Sequence, residues 1–356
     1  MLLLPQLTFL QARGYDVRVA CSSEGRPWDR DLLPFRPVDL AFPRSVRPVR
    51  LAQALAALPR AARQTGADVV HLHTPAAALP ARMLPAAAFG PKVQIVYTVH
   101  GFAHQWDSSA RRDIGLERLE RLLARRTDLM LFQSREDLAR ATAAGYRSLL
   151  RHLGNGVEDA WFDIPAPPPV VSGPTLLFVG RLVAGKGILE LLEALRSVPG
   201  ARLLVAGGAL ASDREQVADQ VAALVRSPEL AGRVELLGLL DRPTLMTVME
   251  RAHALVLPSH REGLPRSVIE SLAAGRPAVV TDIRGCRELV THEDNGLIVA
   301  PRDPVSLGGA LRRLADEPGL LARLSARARP SVDPERRESS VFDRLVLAYR
   351  EIGVAP

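Results

Sequence analysis

A glycine-rich loop in the second half of the chain carries two cations. It reads Gly180-Arg-Leu-Val-Ala-Gly-Lys-Gly187, and an apolar segment with helical spacing, Ile188–Val198, follows it. Glycines allow a tight turn, and the N-terminus of a helix attracts anions. Because Arg181 and Lys186 add two positive charges, the pattern favours binding of a diphosphate. An ordinary strand-to-helix turn is the alternative. The loop is not a Walker loop, since no Gly-Lys-Ser/Thr closes it.

A second loop, Pro258–Glu270, brings two glutamates to the start of a predicted helix. Pro265 suits the first turn of that helix, and Gly275 suits its C-terminal cap. Glu262 precedes the helix and Glu270 lies inside it. Both carboxylates can therefore accept hydrogen bonds from the hydroxyl groups of a ribose or a hexose. Taken alone, two glutamates eight residues apart carry little information.

Composition and length limit the class of protein. The 356 residues are 47% hydrophobic and 24% charged, which is ordinary for a globular chain and excludes wholesale disorder. The length favours two domains. No stretch reaches eighteen apolar residues, and we expect neither a membrane-spanning helix nor a signal peptide. Cys21 and Cys286 have no metal-binding spacing and fit a reducing cytoplasm, and we interpret Cys286 as an inert thiol.

The net charge of +7 is concentrated in the first half, where residues 1–165 contain 22 Lys/Arg against 16 Asp/Glu. Segment Arg44–Arg63 has five arginines and no acid, with leucines at helical spacing. Such a helix can lie on an anionic membrane, and the predicted contacts are Arg44, Arg47 and Arg50. A solvated helix is the alternative. Nucleic acid is disfavoured because no aromatic side chains interleave with the arginines.

Short runs rich in Val and Ile alternate with segments of helical spacing in both halves of the chain. The first half has runs at Val17–Ala20, Val69–Leu72, Val93–Tyr97, Leu129–Phe132 and Leu149–Leu153. The second half has runs at Thr175–Val179, Arg202–Ala206, Val234–Leu237, Ala254–Leu257, Ala278–Thr281 and Leu297–Val299. This alternation predicts an α/β protein with two doubly wound domains and a cleft between them. The predicted domains are residues 1–164 and 175–333, and the proline-rich segment 165–174 is the predicted linker.

Together, the two loops resemble those of the retaining GT-B glycosyltransferases, and within them glycosyltransferase family 4. The resemblance rests on the patterns G-R-x4-K-G at 180–187 and E-G-x-P-x4-E at 262–270. It extends to Leu203–Gly208, Val234–Gly238, Gly275–Val290, Asn295–Pro304, Val69–Pro75, Tyr97–Phe102 and Leu153–Phe162. It implies two Rossmann-like domains facing across a cleft, with a last helix, residues 334–356, returning to the first domain.

The resemblance also implies roles for individual residues. Gly180, Arg181 and Lys186 would hold the diphosphate of a nucleotide sugar, and Glu270 would hold its ribose. Glu262, with the backbone of Gly263 and Leu264, would face the donor sugar. His100 matches a histidine beside the reacting sugar. No metal ion or other cofactor is expected, because the cations and a helix N-terminus neutralise the departing diphosphate.

The first half resembles bacterial enzymes that extend sugars on undecaprenyl diphosphate. The residues behind this resemblance are HLHTP at 71–75, TVHGF at 98–102 and the arginine- and leucine-rich segment leading to TDLMLFQSREDLA. It implies an acceptor side at His104, Ser134 and Arg135. The implied activity is transfer of a hexose or N-acetylhexosamine from a UDP-sugar to a lipid-linked glycan, at the inner face of the plasma membrane.

Two rival functions are considered, and one of them depends on a departure from the family pattern. Family members open with a strand and a glycine loop, whereas this sequence begins inside the helix that follows them. We expect that the start codon is assigned too far downstream. If the chain instead lacks part of its site, it is a non-catalytic sugar-nucleotide-binding protein. A sugar-nucleotide 2-epimerase shares the architecture but would have a different set of carboxylates.

Two short motifs are interpreted as not binding metal. His71 and His73 flank a single residue, and the interpretation places their side chains on opposite faces of a strand, which excludes a shared ion. Asp29-Arg-Asp31 matches a metal-binding Asp-x-Asp pattern but follows no apolar strand. Surface charge is the favoured interpretation of these two aspartates.

Overall fold

The computed structural model describes residues 3–21, 38–40, 48–102, 104, 106, 109–209, 213, 216–317 and 319–356, with the backbone alone at 39, 48–54 and 76. The chain divides into two compact units. Unit 1 comprises Met1–Gly154 and Ser339–Pro356, and unit 2 comprises Asn155–Glu338. The segment predicted as a linker, 165–174, lies within unit 2. Across the described ranges, no helix is long and apolar enough to cross a bilayer.

Unit 1 is built on a four-stranded parallel sheet. Its strands are β3 (Val69–Leu72), β4 (Gln94–Val99), β5 (Leu129–Phe132) and β6 (Leu149–His152), in that spatial order. A separate parallel pair is formed by β1 (Ala20–Cys21) and β2 (Val38–Asp39). The predicted strand Val17–Ala20 is wrong in its bounds, because only Ala20 and Cys21 pair, and they do so with β2.

Among the described residues, five α-helices lie in the part of unit 1 that precedes unit 2 in the chain. They are α1 (Leu4–Ala12), α2 (Pro48–Thr65), α3 (Pro75–Met83), α4 (Arg111–Ala124) and α5 (Arg135–Ala143). Side-chain caps fix two of their starts. Thr74 accepts a hydrogen bond from the backbone N–H of Ala77, and Ser134 accepts one from that of Asp137.

Unit 2 is built on a six-stranded parallel sheet. Its strands are β7 (Thr175–Val179), β8 (Arg202–Ala206), β9 (Val234–Gly238), β10 (Ala254–Leu257), β11 (Ala278–Thr281) and β12 (Gly296–Val299). The spatial order is β12-β11-β10-β7-β8-β9. This is the doubly wound order that reverses between β7 and β10. The central strands β10 and β11 are fully buried because helices cover both faces.

The helices of unit 2 are α6 (Ile188–Arg196), α7 (Ala218–Val225), α8 (Arg242–Arg251), α9 (Arg266–Ala273), α10 (Arg284–Arg287), α11 (Pro304–Asp316) and α12 (Leu320–Ala328). α6 buries Leu191, Leu192 and Leu195 against the sheet, as the spacing of its leucines predicts. The two parallel α/β sheets confirm the fold class expected from the sequence.

The last helix, α13 (Glu338–Glu351), packs into unit 1. Leu345 and Tyr349 join a core cluster with Leu10 of α1 and with Val96 and Leu129 of the sheet. The chain thus returns to its first unit after completing the second.

Candidate active site

The two predicted donor loops follow neighbouring strands of the unit 2 sheet. β7 ends immediately before Gly180, and β10 ends immediately before Pro258. The two strands are paired in parallel, so both loops leave the same edge of the sheet. The strand order reverses between them, and nucleotides bind at such a reversal in doubly wound sheets.

Gly187 brings the two loops into direct contact. It has a φ of 71°, and a Cβ at this position would lie 2.0 Å from the carbonyl oxygen of Pro258. No side chain fits there, and the left-handed conformation itself favours glycine. The backbone N–H of His260 also donates to the carbonyl oxygen of Gly185, at 3.0 Å. The relative position of the two loops is therefore fixed by their backbones.

Lys186 and Glu262 form an ion pair across these loops. The Nζ atom of Lys186 lies 2.5 Å from Oε1 of Glu262, and the hydroxyl of Ser259 donates to the same oxygen at 2.7 Å. The two side chains are 22% and 12% exposed. An ammonium has three protons, so Lys186 can still donate to a phosphate oxygen. The side chain predicted to bind the diphosphate, Lys186, thus contacts the side chain predicted to face the sugar, Glu262.

Arg181 is anchored by an acid that the sequence analysis did not identify. Its Nη1 atom lies 2.5 Å from Oδ1 of Asp213, whose side chain is buried while that of Arg181 is half exposed. Gly180 donates its N–H to the carbonyl oxygen of Ala206 at 3.0 Å. A Cβ at Gly207 would lie 1.7 Å from the carbonyl oxygen of Gly180, so glycine is needed where the loop after β8 passes. Arg181 is accordingly held within the glycine-rich loop, with part of its guanidinium exposed.

The backbone of Gly263 and Leu264 is held from two sides. A Cβ at Gly285, in α10, would lie 1.9 Å from the carbonyl oxygen of Gly263. The side-chain amide of Asn155 donates to the carbonyl oxygen of Leu264 at 3.1 Å. These contacts fix the chain just before α9, where its first backbone N–H groups have no partner within the helix.

Glu270 is buried in α9 and bonded to an arginine of the same helix. The Nε atom of Arg266 donates to Oε1 of Glu270 at 2.9 Å, and Nη2 of Arg266 donates to Glu338 at 2.6 Å. Burial raises the pKa of Glu270, and the positive charge of Arg266 opposes that rise. The sequence analysis did not identify this pair, although its i, i+4 spacing is typical of ion pairs on a helix.

Two further polar contacts support the second loop. Thr281, at the end of β11, donates its hydroxyl to the carbonyl oxygen of Ser259 at 2.5 Å. Nε2 of His260 lies 2.6 Å from Oε1 of Glu190, in α6. Sequence alone did not identify these partners, because they come from separate elements and have no characteristic spacing.

A cluster of three histidines occupies the carboxyl edge of the unit 1 sheet. His100 follows β4, and its Nε2 atom lies 3.3 Å from Nδ1 of His73, which follows β3. The ring of His73 stacks on that of His71 at 4.1 Å. His71 bonds in turn to the hydroxyls of Tyr349, at 2.6 Å, and Thr98, at 2.7 Å. The histidine predicted to lie beside the reacting sugar is thus linked to α13 through two other rings.

Burial keeps these imidazoles neutral. It lowers the pKa of His71 to about 3, and it lowers the pKa of His73 well below the usual value, with the neighbouring histidines adding to both effects. Burial also lowers the pKa of His100, while a hydrogen bond with Gln133 acts in the opposite direction. A neutral imidazole can accept as well as donate a hydrogen bond.

The prediction that His71 and His73 point to opposite faces is wrong. Side chains two residues apart on a strand share a face, and here their rings stack. Within the part of the chain that the structure describes, no group of three or more His, Cys, Asp or Glu side chains is arranged to hold a metal ion.

The predicted acceptor-side residues occupy different environments. His104 is buried against the rings of Phe102 and Trp106, each 4.7 Å away between centroids. Ser134 is buried and caps α5, whereas Arg135 is exposed at the start of that helix. Their role in binding an acceptor stays a prediction.

Several other sequence interpretations fall partly or wholly outside the described residues. Arg44 and Arg47 lie outside them, as do Asp29 and Asp31, and only the backbone of Arg50 is described. Cys286, in contrast, is fully buried in α10, and burial raises the pKa of its thiol, which favours an inert side chain.

Two family models match adjoining parts of the chain. The model described as glycosyl transferases group 1 matches residues 160–330, and the model described as Glycosyltransferase Family 4 matches residues 7–161. The first match contains both donor loops, and the second contains the three clustered histidines. Together the two models account for most of the chain.

Relatives and solved structures agree with these matches. A glycogen synthase of Mycobacterium tuberculosis is 30% identical over 283 residues, which are 78% of this chain and 65% of that protein. This chain therefore spans just under two thirds of the length of that relative. Sucrose-phosphate synthase from Thermosynechococcus elongatus superposes with a TM-score of 0.82 at 22% identity, over 98% of this chain and 92% of that one. Anabaena HepE in complex with UDP-glucose superposes with a TM-score of 0.74 at 17% identity, over 94% and 99%.

Proposed function

We propose a function from the premise that this chain belongs to glycosyltransferase family 4. The proposed function is transfer of a hexose or an N-acetylhexosamine from a nucleotide sugar to a growing lipid-linked bacterial glycan. UDP is the first nucleotide to test. The observation that carries the proposal is the Lys186–Glu262 pair at the strand reversal of unit 2. UDP-glucose is the ligand of the similarly folded HepE.

The site chemistry follows from the charges of its residues. In the proposed reaction, the bond between the anomeric carbon and the diphosphate oxygen breaks, and the electron pair leaves with the nucleotide. Lys186, Arg181 and the N-terminus of α9 stabilise the charge that develops on that oxygen. Because these groups supply positive charge, we propose that the reaction requires no metal ion. Glu270 accepts a hydrogen bond from the ribose, and Glu262 faces the donor sugar.

The acceptor hydroxyl completes the transfer in a retaining enzyme. Its oxygen bonds to the anomeric carbon on the face that the diphosphate leaves, and its proton passes to the departing diphosphate oxygen. His100 is proposed to contact the sugar, and its neutral ring can accept a hydroxyl proton in a hydrogen bond. His104, Ser134 and Arg135 are proposed on the acceptor side. A cytoplasmic location at the inner face of the plasma membrane suits a lipid-linked acceptor.

The experiment is a donor screen with and without acceptor. The full chain is incubated with a panel of UDP-sugars and with undecaprenyl diphosphate-linked saccharides, and the products are measured by mass spectrometry. We expect slow donor hydrolysis without acceptor, and an acceptor heavier by one sugar when acceptor is present. Lys186→Ala should slow both about a hundredfold or more, while Arg202→Gln, an exposed change elsewhere in unit 2, should leave both intact.

Two outcomes would reject the proposal in different ways. Tight UDP-sugar binding with neither hydrolysis nor transfer would show a non-catalytic sugar-nucleotide-binding protein. Conversion of the donor to an isomeric sugar nucleotide, without any transfer, would show an epimerase.

A further inference from the structure

The outward side of α4 in unit 1 carries arginines together with large apolar side chains. We define the α4 arginine face by seven exposed residues of α4 and its C-terminal cap, which are Arg111, Arg112, Ile114, Arg118, Arg121, Leu122 and Arg125. Leu122 is 58% exposed and Ile114 is 40% exposed. Single exposed apolar residues are ordinary, but two of them among five arginines on one helix form a distinct surface.

The acids of α4 lie on its other side. At 100° per residue, the α4 arginine face covers about half of the helix circumference, and Asp113, Glu117 and Glu120 fall in the other half. Glu120 is buried, and its carboxylate is 2.8 Å from the guanidinium of the buried Arg82. Among the described residues, no carboxylate forms an ion pair with the five arginines of the face. The face therefore carries five positive charges, and two other acids of α4, Asp113 and Glu117, offset them only in part.

The neighbouring end of α3 extends this surface. Met83, the last residue of α3, is 43% exposed, and its carbonyl oxygen accepts a hydrogen bond from Arg126, two residues beyond α4. An exposed apolar side chain thus lies at the side of the α4 arginine face. Transfer of such a side chain from water to an apolar medium is favourable.

The chemistry of this surface matches that of an anionic bilayer. Arginine side chains can extend to the phosphates while their stems lie along apolar material, and aliphatic side chains enter the boundary between headgroups and acyl chains. Nucleic acid is less favoured, because the exposed apolar side chains are aliphatic and offer no ring on which a base can stack. Charge and apolar exposure on one helix face thus favour a lipid surface.

We propose that the α4 arginine face docks unit 1 on anionic phospholipid bilayers. The purpose of this docking, to present a lipid-linked acceptor, rests on the proposed function, whereas the binding itself does not. The surface differs from the predicted contacts at Arg44, Arg47 and Arg50. Its arginines are exposed, and the structure describes every side chain of α4.

The test is vesicle flotation of the full chain without donor. Phosphatidylcholine vesicles, with and without 30% phosphatidylglycerol, are compared at 0.1 M and 1 M salt. We expect binding to the anionic vesicles only, and its loss at 1 M salt, where the Debye length falls from about 10 Å to about 3 Å. The triple change Arg118→Gln, Arg121→Gln and Arg125→Gln should weaken partitioning at least tenfold, given about 1 kcal/mol per arginine near the surface. Leu122→Ser should weaken it without changing the charge.

A matched control tests whether vesicle binding depends on this face or only on the net charge of the protein. The triple change Arg202→Gln, Arg226→Gln and Arg323→Gln removes three exposed arginines of unit 2 and should leave partitioning unchanged. Equal losses in the two triple variants would overturn the proposal, as would equal binding to neutral and anionic vesicles. A single-stranded oligonucleotide that displaces the chain from vesicles at equal phosphate concentration would assign the face to nucleic acid instead. Circular dichroism melting verifies that each variant is folded, and donor hydrolysis without vesicles tests the proposed function separately.

Discussion

Replacing Glu262 with Gln should strengthen the binding of free UDP while it slows transfer. Lys186 Nζ lies 2.5 Å from Glu262 Oε1, so this carboxylate offsets the positive charge that Lys186 presents to a diphosphate. Glutamine has the same size and can still accept the hydrogen bond from Ser259. The substitution therefore removes this negative charge and keeps the local packing.

The size of the effect follows from the environment of the pair. A hydrogen bond to a charged group contributes about 1.5–3 kcal/mol, and the lower end applies because Lys186 is 22% exposed to water. A difference of about 1.4 kcal/mol is a factor of ten in affinity. We thus expect Glu262→Gln to lower the Kd for UDP about tenfold. Transfer should slow about a hundredfold, because the carboxylate that is proposed to face the donor sugar is lost.

Isothermal titration calorimetry with UDP measures this directly. The matched control is Glu190→Gln, whose carboxylate pairs with His260 beside the same loop rather than with Lys186. Its Kd for UDP should change little. Weaker UDP binding by Glu262→Gln would refute this electrostatic argument, and an equal gain in both variants would assign the effect to general charge. The double variant with Lys186→Ala should show no gain from Glu262→Gln.

Three further predictions concern the reaction and the histidine cluster. Lys186→Ala should lower kcat/KM about a hundredfold or more, in steady-state assays with the donor identified by the screen, and a loss below tenfold would contradict its role at the diphosphate. Activity should be complete in excess EDTA, whereas its abolition by EDTA and recovery with magnesium would contradict the metal-independent proposal. Burial lowers the pKa of His71 to about 3 in the folded state, whereas an exposed histidine has a pKa of about 6.5. Between these two pH values His71 is therefore protonated in the unfolded state and neutral in the folded state. The free energy of unfolding should therefore fall with decreasing pH between about 6.5 and 3, by up to about 1.4 kcal/mol per pH unit for this residue. Urea unfolding of His71→Asn should show a shallower fall than the unchanged chain, and identical slopes would contradict the argument.

Most strands could be predicted because their apolar runs are bounded by turn residues. Val69–Leu72, Leu129–Phe132 and Thr175–Val179 have the predicted bounds. The first strand was misplaced because its two residues depend on pairing with Val38–Asp39, a partner with no apolar run of its own. Tertiary pairing, rather than local pattern, decides such short strands.

The positions of the two loops after β7 and β10 could be predicted from sequence, but the contacts between them could not. The glycines and cations of 180–187 have a recognisable spacing, whereas the Lys186–Glu262 pair depends on Gly187 lying against the backbone of Pro258. Similarly, Tyr349 contacts His71 only because α13 returns to unit 1. Residues so far apart in sequence have no local signal of their contact.

The anomeric configuration of the product tests the central claim most directly. A UDP-α-sugar identified by the screen is incubated with the full chain and acceptor, and the new glycosidic bond is assigned by nuclear magnetic resonance. The proposed retaining transfer predicts an α-linked product that forms with the unchanged chain and is nearly lost with Lys186→Ala. A β-linked product, or an α-linked product that forms equally fast with Lys186→Ala, would contradict it.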